Sequence, residues 1–360
     1  MISKRAKTRQ IKLSNVAVGG DAHITVQSMT KTKTDDIKST VYQINSLEIA
    51  GCELIRLAVP NMEAARCLGK IKEQIHIPMI ADIHFDWKLA LEAVAQGVDG
   101  LRINPGNIGP LWKVQEVVAA CKDRGVPIRI GVNGGSLQKD ILSKYGHPTP
   151  EAIVESAERH IGILENLDFK EIKVSLKASN VPITIEAYRL FSSRHDYPLH
   201  IGISEAGIPE TGIIKSAAGL GSLLYDGIGD TMRVSLTSEP ELEVNVAYEI
   251  LKSLGIRQKG INFISCPTCG RTRVNLVKLA HEAAQRLKTV QSTVTVAIMG
   301  CEVNGPGEAK EADYGIAGGG GEGLLFKKGT VVRKVKEADL ISALVDLINE
   351  ELQEEKTRKG

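Results

Sequence analysis

The sequence is short of cysteine, of aromatic residues and of long apolar runs, and each shortage removes a class of protein. Six cysteines in 360 residues, at positions 52, 67, 121, 266, 269 and 301, are too few for a disulfide scaffold and predict reduced thiols in the cytoplasm. No apolar stretch is long enough to span a bilayer, and the basic opening MISKRAKTRQIKLSN is not followed by the apolar segment of a secretory signal. Aromatics make up 4% of the chain and the net charge is only +2. Neither a nucleic-acid surface of basic residues interleaved with stacking rings nor a charged membrane face is therefore expected. An anionic ligand would have to be met by cations gathered at one place.

What the chain does have is rhythm. Short β-branched runs alternate with longer amphipathic stretches: ITVQS (24–28), ELIRLAV (53–59), PMIAD (78–82), GLRIN (100–104), PIRIGV (127–132), IKVSL (172–176), LHIGIS (199–204) and DTMRVSL (230–236). Helical segments such as 35–50, 61–74, 87–95, 115–124 and 150–164 lie between them. Eight such units in about 250 residues predict an α/β fold, a (β/α)8 TIM-type barrel over 1–250, with an open doubly wound sheet as the alternative. TSEPELEVNVAYEILKSLGIRQKG reads as a loop and helix leading out of the barrel. Residues 251–360 then form a small α+β domain. It holds the strand INFIS, a CPTCG turn, a helix over 273–287, the strand VTVAIMG, the loop CEVNGPGEA, a glycine-rich YGIAGGGGEG, a strand pair around GLLFKKGTVVRKV and a closing helix whose end, EEKTRKG, should fray. GGGG lacks the Lys-Ser/Thr and following helix of a phosphate loop.

In a TIM-type barrel, functional groups collect where strands end. Those positions carry Gln27 and Ser28, Arg56, Asp82 and His84, Arg102 and Asn104, Arg129 and Asn133, Ser175 and Lys177, Glu205, and Arg233 and Ser235. Four arginines sit inside apolar strands, where burial is costly unless an anion meets them. Carboxylates such as Asp82 or Glu205 are too few to neutralise four arginines and Lys177. The fork geometry of arginine suits phosphate, so the barrel should hold a small phosphorylated or diphosphorylated molecule. Glycines at 131, 134, 135, 207, 219 and 221 would let backbone approach it. Asp82, His84 and Glu205 are candidates for proton handling, although a rim histidine is as often simply hydrogen-bonded.

Cys266 and Cys269 form C-x-x-C after a strand, and Cys301 follows another strand in a Gly/Pro-rich loop. A structural zinc site wants four Cys or His ligands, commonly in pairs, and the second half here offers one cysteine and no neighbouring histidine. Three thiolates suit an iron–sulfur cluster with one iron left open. Glu302 and Glu308 are the local oxygen donors. Cys52, Cys67 and Cys121 fall on helical segments and read as buried structural thiols.

The blocks QSMT, ELIRLAVP, ADIHFD, LRINPGN, IRIGVNGGS, SLKAS, HIGISEAG, SCPTCGRT and MGCEVNGPGEA closely resemble the bacterial 4-hydroxy-3-methylbut-2-enyl diphosphate synthases, iron–sulfur oxidoreductases of the non-mevalonate isoprenoid pathway. The resemblance runs from Gln27 to the closing helix and matches the two-domain bacterial form. It implies a [4Fe–4S] cluster on Cys266, Cys269 and Cys301, with Glu308 as a displaceable fourth ligand. It implies 2-C-methyl-D-erythritol 2,4-cyclodiphosphate as substrate, reductively opened and dehydroxylated with electrons from flavodoxin or ferredoxin. Arg56, Arg102, Arg129, Lys177, Arg233 and Ser235 would grip the diphosphate. Glu205 would handle the proton, with Asp82, His84 and Asn133 as neighbours, in a homodimer whose cluster domain caps the partner's barrel. Two rivals differ in kind: a non-redox barrel enzyme with a zinc knuckle, and an electron carrier whose barrel is only scaffold.

Overall fold

The structure, a computed structural model, describes residues 4–288, 290, 292–301 and 309–359. It falls into two units, Met1–Leu254 and Gly255–Gly360. The first begins with a hairpin that sequence periodicity does not reveal, β1 (Ile11–Leu13) against β2 (Val16–Val18). Ile11, Leu13 and Val18 pack on Leu54 and Ile80, which stoppers the barrel at its N-terminal end.

Eight parallel strands follow: β3 (Thr25–Met29), β4 (Leu54–Ala58), β5 (Met79–Asp82), β6 (Gly100–Ile103), β7 (Ile128–Asn133), β8 (Ile172–Lys177), β9 (His200–Ile201) and β10 (Thr231–Met232). Each pairs with its successor in sequence, β10 returns to β3, and a parallel bridge between Val174 and Leu199 joins β8 to the start of β9. That is a closed (β/α)8 barrel rather than an open doubly wound sheet. The last two strands are far shorter than the runs LHIGIS and DTMRVSL suggest, since only two residues of each stay in the ladder.

The crossover helices start where the sequence supplies a cap. Helix α1 (Ile37–Ala50) is capped by Asp36, which accepts from Ser39 N–H, and α2 (Met62–Lys72) by Asn61, which accepts from Ala64 N–H. After α3 (Trp87–Ala95), the β6 loop carries a single-turn α4 (Pro105–Ile108) and then α5 (Leu111–Arg124), which buries Val114, Val117, Val118 and Cys121 on one stripe. The β7 loop carries α6 (Lys139–Tyr145) before α7 (Pro150–Glu165), which starts on Thr149 with Pro150 in its first turn. Helices α8 (Val181–Ser192), α9 (Pro209–Tyr225) and α10 (Pro240–Ser253) complete the ring. Thus α10 does not lead out of the barrel. It is the eighth barrel helix, packed against β3 and α1.

The second unit is a five-stranded mixed sheet in the order β11 (Asn262–Ser265), β12 (Thr295–Met299), β13 (Tyr314–Gly318), β14 (Glu322–Lys327) and β15 (Thr330–Lys336). The first three are parallel and the last three antiparallel. Half of the stretch YGIAGGGGEG is therefore the buried strand β13, with GGGG reduced to its turn. Helices α11 (Leu276–Arg286, capped by Asn275) and α12 (Leu340–Lys359) bury Leu279, Ala283, Leu344 and Ile348 in one core with Ile298 and Ile316. Helix α12 continues to Lys359.

Candidate functional site

A cavity of about 470 Å³ opens at the C-terminal end of the barrel strands, within the size range of small-molecule sites. Arg56, Asp82, His84, Arg102 and Arg129 line one part of its wall, and Asn133, Lys177, Glu205, Arg233 and Ser235 the rest. The strand register brings them together. On a barrel strand alternate side chains point inward, so a cation flanked by branched apolar residues faces the interior.

The cations are unequally compensated. Asp82 Oδ1 accepts from Arg102 Nη1 at 3.2 Å, and its Oδ2 lies 3.5 Å from Arg56 Nε. Burial alone would raise the Asp82 carboxyl, but Arg56, Arg102 and Arg129 outweigh it and hold the group below the usual carboxylate range. Arg233 has a different partner, Glu243 on α10, at 3.4 Å. Glu243 is 2% exposed, lies 3.5 Å from Lys31 Nζ, and accepts from Leu236 N–H at 2.9 Å. Sequence reasoning missed it by reading α10 as a helix leading out of the barrel, and named Glu205 as a candidate partner instead. Glu205 makes no ion pair among the described residues. It lies at the cavity with φ +53°, a left-handed backbone unusual for a residue with a Cβ.

Arg129 and Lys177 have no carboxylate partner among the described residues. Arg129 Nε and Nη1 are buried without hydrogen bonds, as is Nζ of Lys173, which lies beside Arg129 in the register of β7 and β8. Burial, reinforced by Arg56 and Arg102, pulls the Arg129 guanidinium well below its ordinary value. Burial and the same cations do likewise to Lys177. Burial beside Arg129 lowers Lys173 to about 7, and burial brings Arg56 to about 10 against the opposing pull of Asp82. These depressions have one physical cause: desolvated like charges held close together.

Not every strand-end residue reaches the cavity. Gln27 and Ser28 are buried in the barrel wall away from it. Asn104 turns into the barrel, where its Nδ2 donates to Gly131 O at 3.0 Å and its Oδ1 accepts from Gly131 N–H at 2.9 Å. Ser175 does line the cavity, as do Ser136, Ser179 and Ser204 from the following loops, which strand reading alone does not flag. Of the glycines, Gly134 and Gly135 line it, whereas Gly219 and Gly221 lie on α9 and Gly207 is also away from it. Gly131 makes room for Arg102, since a Cβ there would stand 2.5 Å from Arg102 Nε.

In the second unit, β11 and β12 run parallel with Ser265 opposite Ile298, so the loops bearing Cys266 and Cys301 leave the same sheet edge. Cys266 Sγ accepts from Gly300 N–H at 3.4 Å, and Arg273 N–H donates to Gly300 O at 2.9 Å. The backbone N–H of Arg271 draws the exposed Cys269 thiol down toward thiolate. Among the described residues, no three His, Cys, Asp or Glu side chains stand close enough to share a metal ion, and Glu302 and Glu308 lie outside the described residues. The donor chemistry fits a soft metal group: two thiol-bearing loops from one end of the sheet and N–H donors at two of the sulfurs. Cys121 on α5 is buried, and burial pushes its thiol up to about 12. Cys52 is buried to the same effect, although it follows α1 rather than lying on it, and Cys67 is only half-buried.

Residues 8–248 match the family model described as the GcpE TIM-barrel domain, and residues 262–350 match the GcpE protein C-terminal domain. A protein of Thermodesulfovibrio yellowstonii named 4-hydroxy-3-methylbut-2-en-1-yl diphosphate synthase (flavodoxin) is 62% identical over 345 residues, covering 96% of this chain and 99% of its own. One of the same name from Geobacter sulfurreducens is also 62% identical, over 97% of this chain and 99% of its own. Among solved structures, a dihydropteroate synthase from Stenotrophomonas maltophilia superposes with a TM-score of 0.51 at 13% identity, covering 69% of this chain and 98% of its own. At that identity the likeness is one of fold alone.

Proposed function

The chain belongs to the GcpE family, and on that footing we propose that it converts 2-C-methyl-D-erythritol 2,4-cyclodiphosphate into 4-hydroxy-3-methylbut-2-en-1-yl diphosphate, a precursor in non-mevalonate isoprenoid biosynthesis. The electron donor would be flavodoxin or ferredoxin, and the compartment the cytoplasm. The observation that carries this reading is the cradle. Arg56, Arg102, Arg129, Lys177 and Arg233 surround one cavity, yet among the described residues only Asp82 and Glu243 pair with any of them. A cyclic diphosphate supplies the missing negative charge, spread over oxygens that guanidinium forks can share.

Cys266, Cys269 and Cys301 would hold a [4Fe–4S] cluster with Glu308 as fourth ligand; when bound, this group would relay the donor's two electrons, one at a time, to the substrate. The remaining work falls to the barrel. Arg129 and Lys177, lacking carboxylates of their own, grip the diphosphate most strongly, while Arg56, Arg102 and Arg233 are held in place by Asp82 and Glu243. Asn133 and Ser235 orient the ligand by hydrogen bonding. Asp82 stays ionised in its nest of arginines, so it serves as an acceptor and not as a proton donor. The proton for the departing hydroxyl is then assigned to Glu205, with His84 lining the same cavity. Cradle and cysteines lie on separate units, so turnover requires them to meet, and a homodimer with one chain's cluster unit over the partner's barrel accomplishes that.

The test is anaerobic purification with iron and sulfide analysis, then turnover of the cyclic diphosphate with reduced flavodoxin. Brown, active protein is expected, with Arg129→Ala raising KM at least tenfold and leaving the absorption spectrum intact. Colourless protein carrying one zinc per chain, and no turnover, would refute the reading.

A further inference from the structure

Outside the barrel wall, α7 carries a buried histidine that no step above employs. His160 is 2% exposed. Its Nδ1 accepts from the backbone N–H of Gly106, in the loop after β6, at 3.1 Å. Its Nε2 lies 2.9 Å from the side-chain amide of Gln138, in the loop after β7, and that amide also meets Ser156 Oγ at 2.7 Å. One ring therefore ties together the loops after β6 and β7.

Hydrogen-bond chemistry fixes the state of this ring. A backbone N–H can only donate, so Nδ1 must be bare and the proton must sit on Nε2. Nε2–H then needs an acceptor, which turns the Gln138 amide so that its oxygen faces the imidazole and its nitrogen donates to Ser156 Oγ. Protonating Nδ1 would set a donor against a donor and open the link. Burial works against that, lowering His160 to about 4. The fit is also steric, because a Cβ at position 106 would stand 2.7 Å from His160 Cε1.

The two loops reach the cradle directly. Gly106 follows Asn104, whose side chain spans both backbone groups of Gly131, and Gly131 O also accepts from Arg102 Nη2 at 3.0 Å. Gln138 follows Gly134, Gly135 and Ser136, which line the cavity. We infer that His160 is a positioning residue, held as the neutral Nε2–H tautomer, which locks the loops after β6 and β7 and so preorganises one wall of the anion cradle. It touches no ligand and acts through Gly106 and Gln138.

This inference rests on the proposed substrate, and the experiment keeps the two apart. In the anaerobically purified holoenzyme, His160→Phe keeps the ring volume and loses both hydrogen bonds. His160→Asn places an acceptor where Nδ1 was. The expected result is a tenfold rise in KM for the cyclic diphosphate with kcat within twofold for His160→Phe, substantial recovery in His160→Asn, and no further loss on adding Gln138→Leu to His160→Phe. Should His160→Phe fail to fold, Gln138→Leu alone carries the same expectation. Folded variants with wild-type KM, or a kcat that falls merely with the folded fraction, would overturn it, as would a charged or Nδ1–H ring in the nitrogen NMR spectrum at neutral pH. Wild-type protein that does not turn over the cyclic diphosphate would instead sink the substrate assignment, leaving the tautomer as the direct readout of the link.

Discussion

A single methyl group tests whether the arginines of the barrel are set for an anion. Gly131 lies on β7, and a Cβ added there would stand 2.5 Å from Arg102 Nε, 3.0 Å from Nη2 and 3.1 Å from Cζ. Ordinary contact begins near 3.4 Å, so in Gly131→Ala the guanidinium must retreat by 3.4 − 2.5, or 0.9 Å. The crowded atom is Nε, in the body of the fork, so a terminal rotation does not relieve it. Arg102 now donates to Asp82 at 3.2 Å and to Gly131 O at 3.0 Å, and a shift of that size away from Gly131 disturbs the bond to its carbonyl and re-aims the fork.

Loss of a charged hydrogen bond to ligand amounts to roughly 1.5–3 kcal/mol, or about 10–150-fold in Kd. Overpacking adds roughly 1–3 kcal/mol of destabilisation. Calorimetric titration of anaerobic protein with the cyclic diphosphate should show the weaker Kd beside a lowered melting temperature. In an Arg102→Ala background the same methyl should cost little, because the atom it strikes is gone. If Gly131→Ala melts earlier yet binds as wild type does, Arg102 has no part in holding the anion and the cradle reading is wrong at that position.

Two further outcomes follow from the charge layout. Glu243→Gln keeps an acceptor for Leu236 N–H but leaves Arg233 and Lys31 without their carboxylate. It should cost roughly 3 kcal/mol or more, read as a drop of several degrees in melting temperature, and inorganic pyrophosphate should restore more stability to this variant than to wild type; equal gains would refute the pairing. Lys177 is held well below its ordinary value by burial and neighbouring cations, a shift that favours its neutral form in the empty protein. An incoming diphosphate raises it again, and binding near neutral pH should therefore take up protons, measured as a dependence of the binding enthalpy on the ionisation enthalpy of the buffer. Proton release, or none exchanged, would count against it.

The barrel was legible because its pattern is local. A β-branched run bounded by turn residues marks a strand whatever surrounds it, and β3 to β8 lie within a residue or two of the runs that announce them. The arginines were legible for a related reason: on a strand buried on both faces, an inward cation has nowhere else to go. What could not be read was relational. No local signal says whether an amphipathic helix turns back onto the barrel, so Glu243 was passed over although it is among the most buried charges in the chain. The β1–β2 hairpin uses three-residue strands, too short for periodicity to register. His160 meets Gly106 across 54 positions, and a lone histidine on a helix carries no hint of that.

The distribution of the two paired carboxylates carries the functional argument further than the number of cations does. Around the barrel, Asp82 on β5 serves Arg56 on β4 and Arg102 on β6, and Glu243 on α10 serves Arg233 beyond β10. Arg129 and Lys177 lie on β7 and β8, adjacent strands between those two compensated flanks, and neither forms an ion pair among the described residues. If the cations were needed only for stability, this is where a carboxylate or an apolar substitution would relieve most strain, since desolvated like charges gain nothing from each other. Instead the structure places a further cation, Lys173, whose buried Nζ has no hydrogen bond, opposite Arg129 in the strand register. Positive potential is therefore concentrated on one side of the cavity before any ligand arrives. A ligand with two linked phosphates can satisfy that side and still reach the flanks, whereas a single phosphate engages only one part of it. The electrostatics thus argue for a diphosphate of defined orientation, with the rest of the molecule turned toward Glu205 and the open end of the barrel.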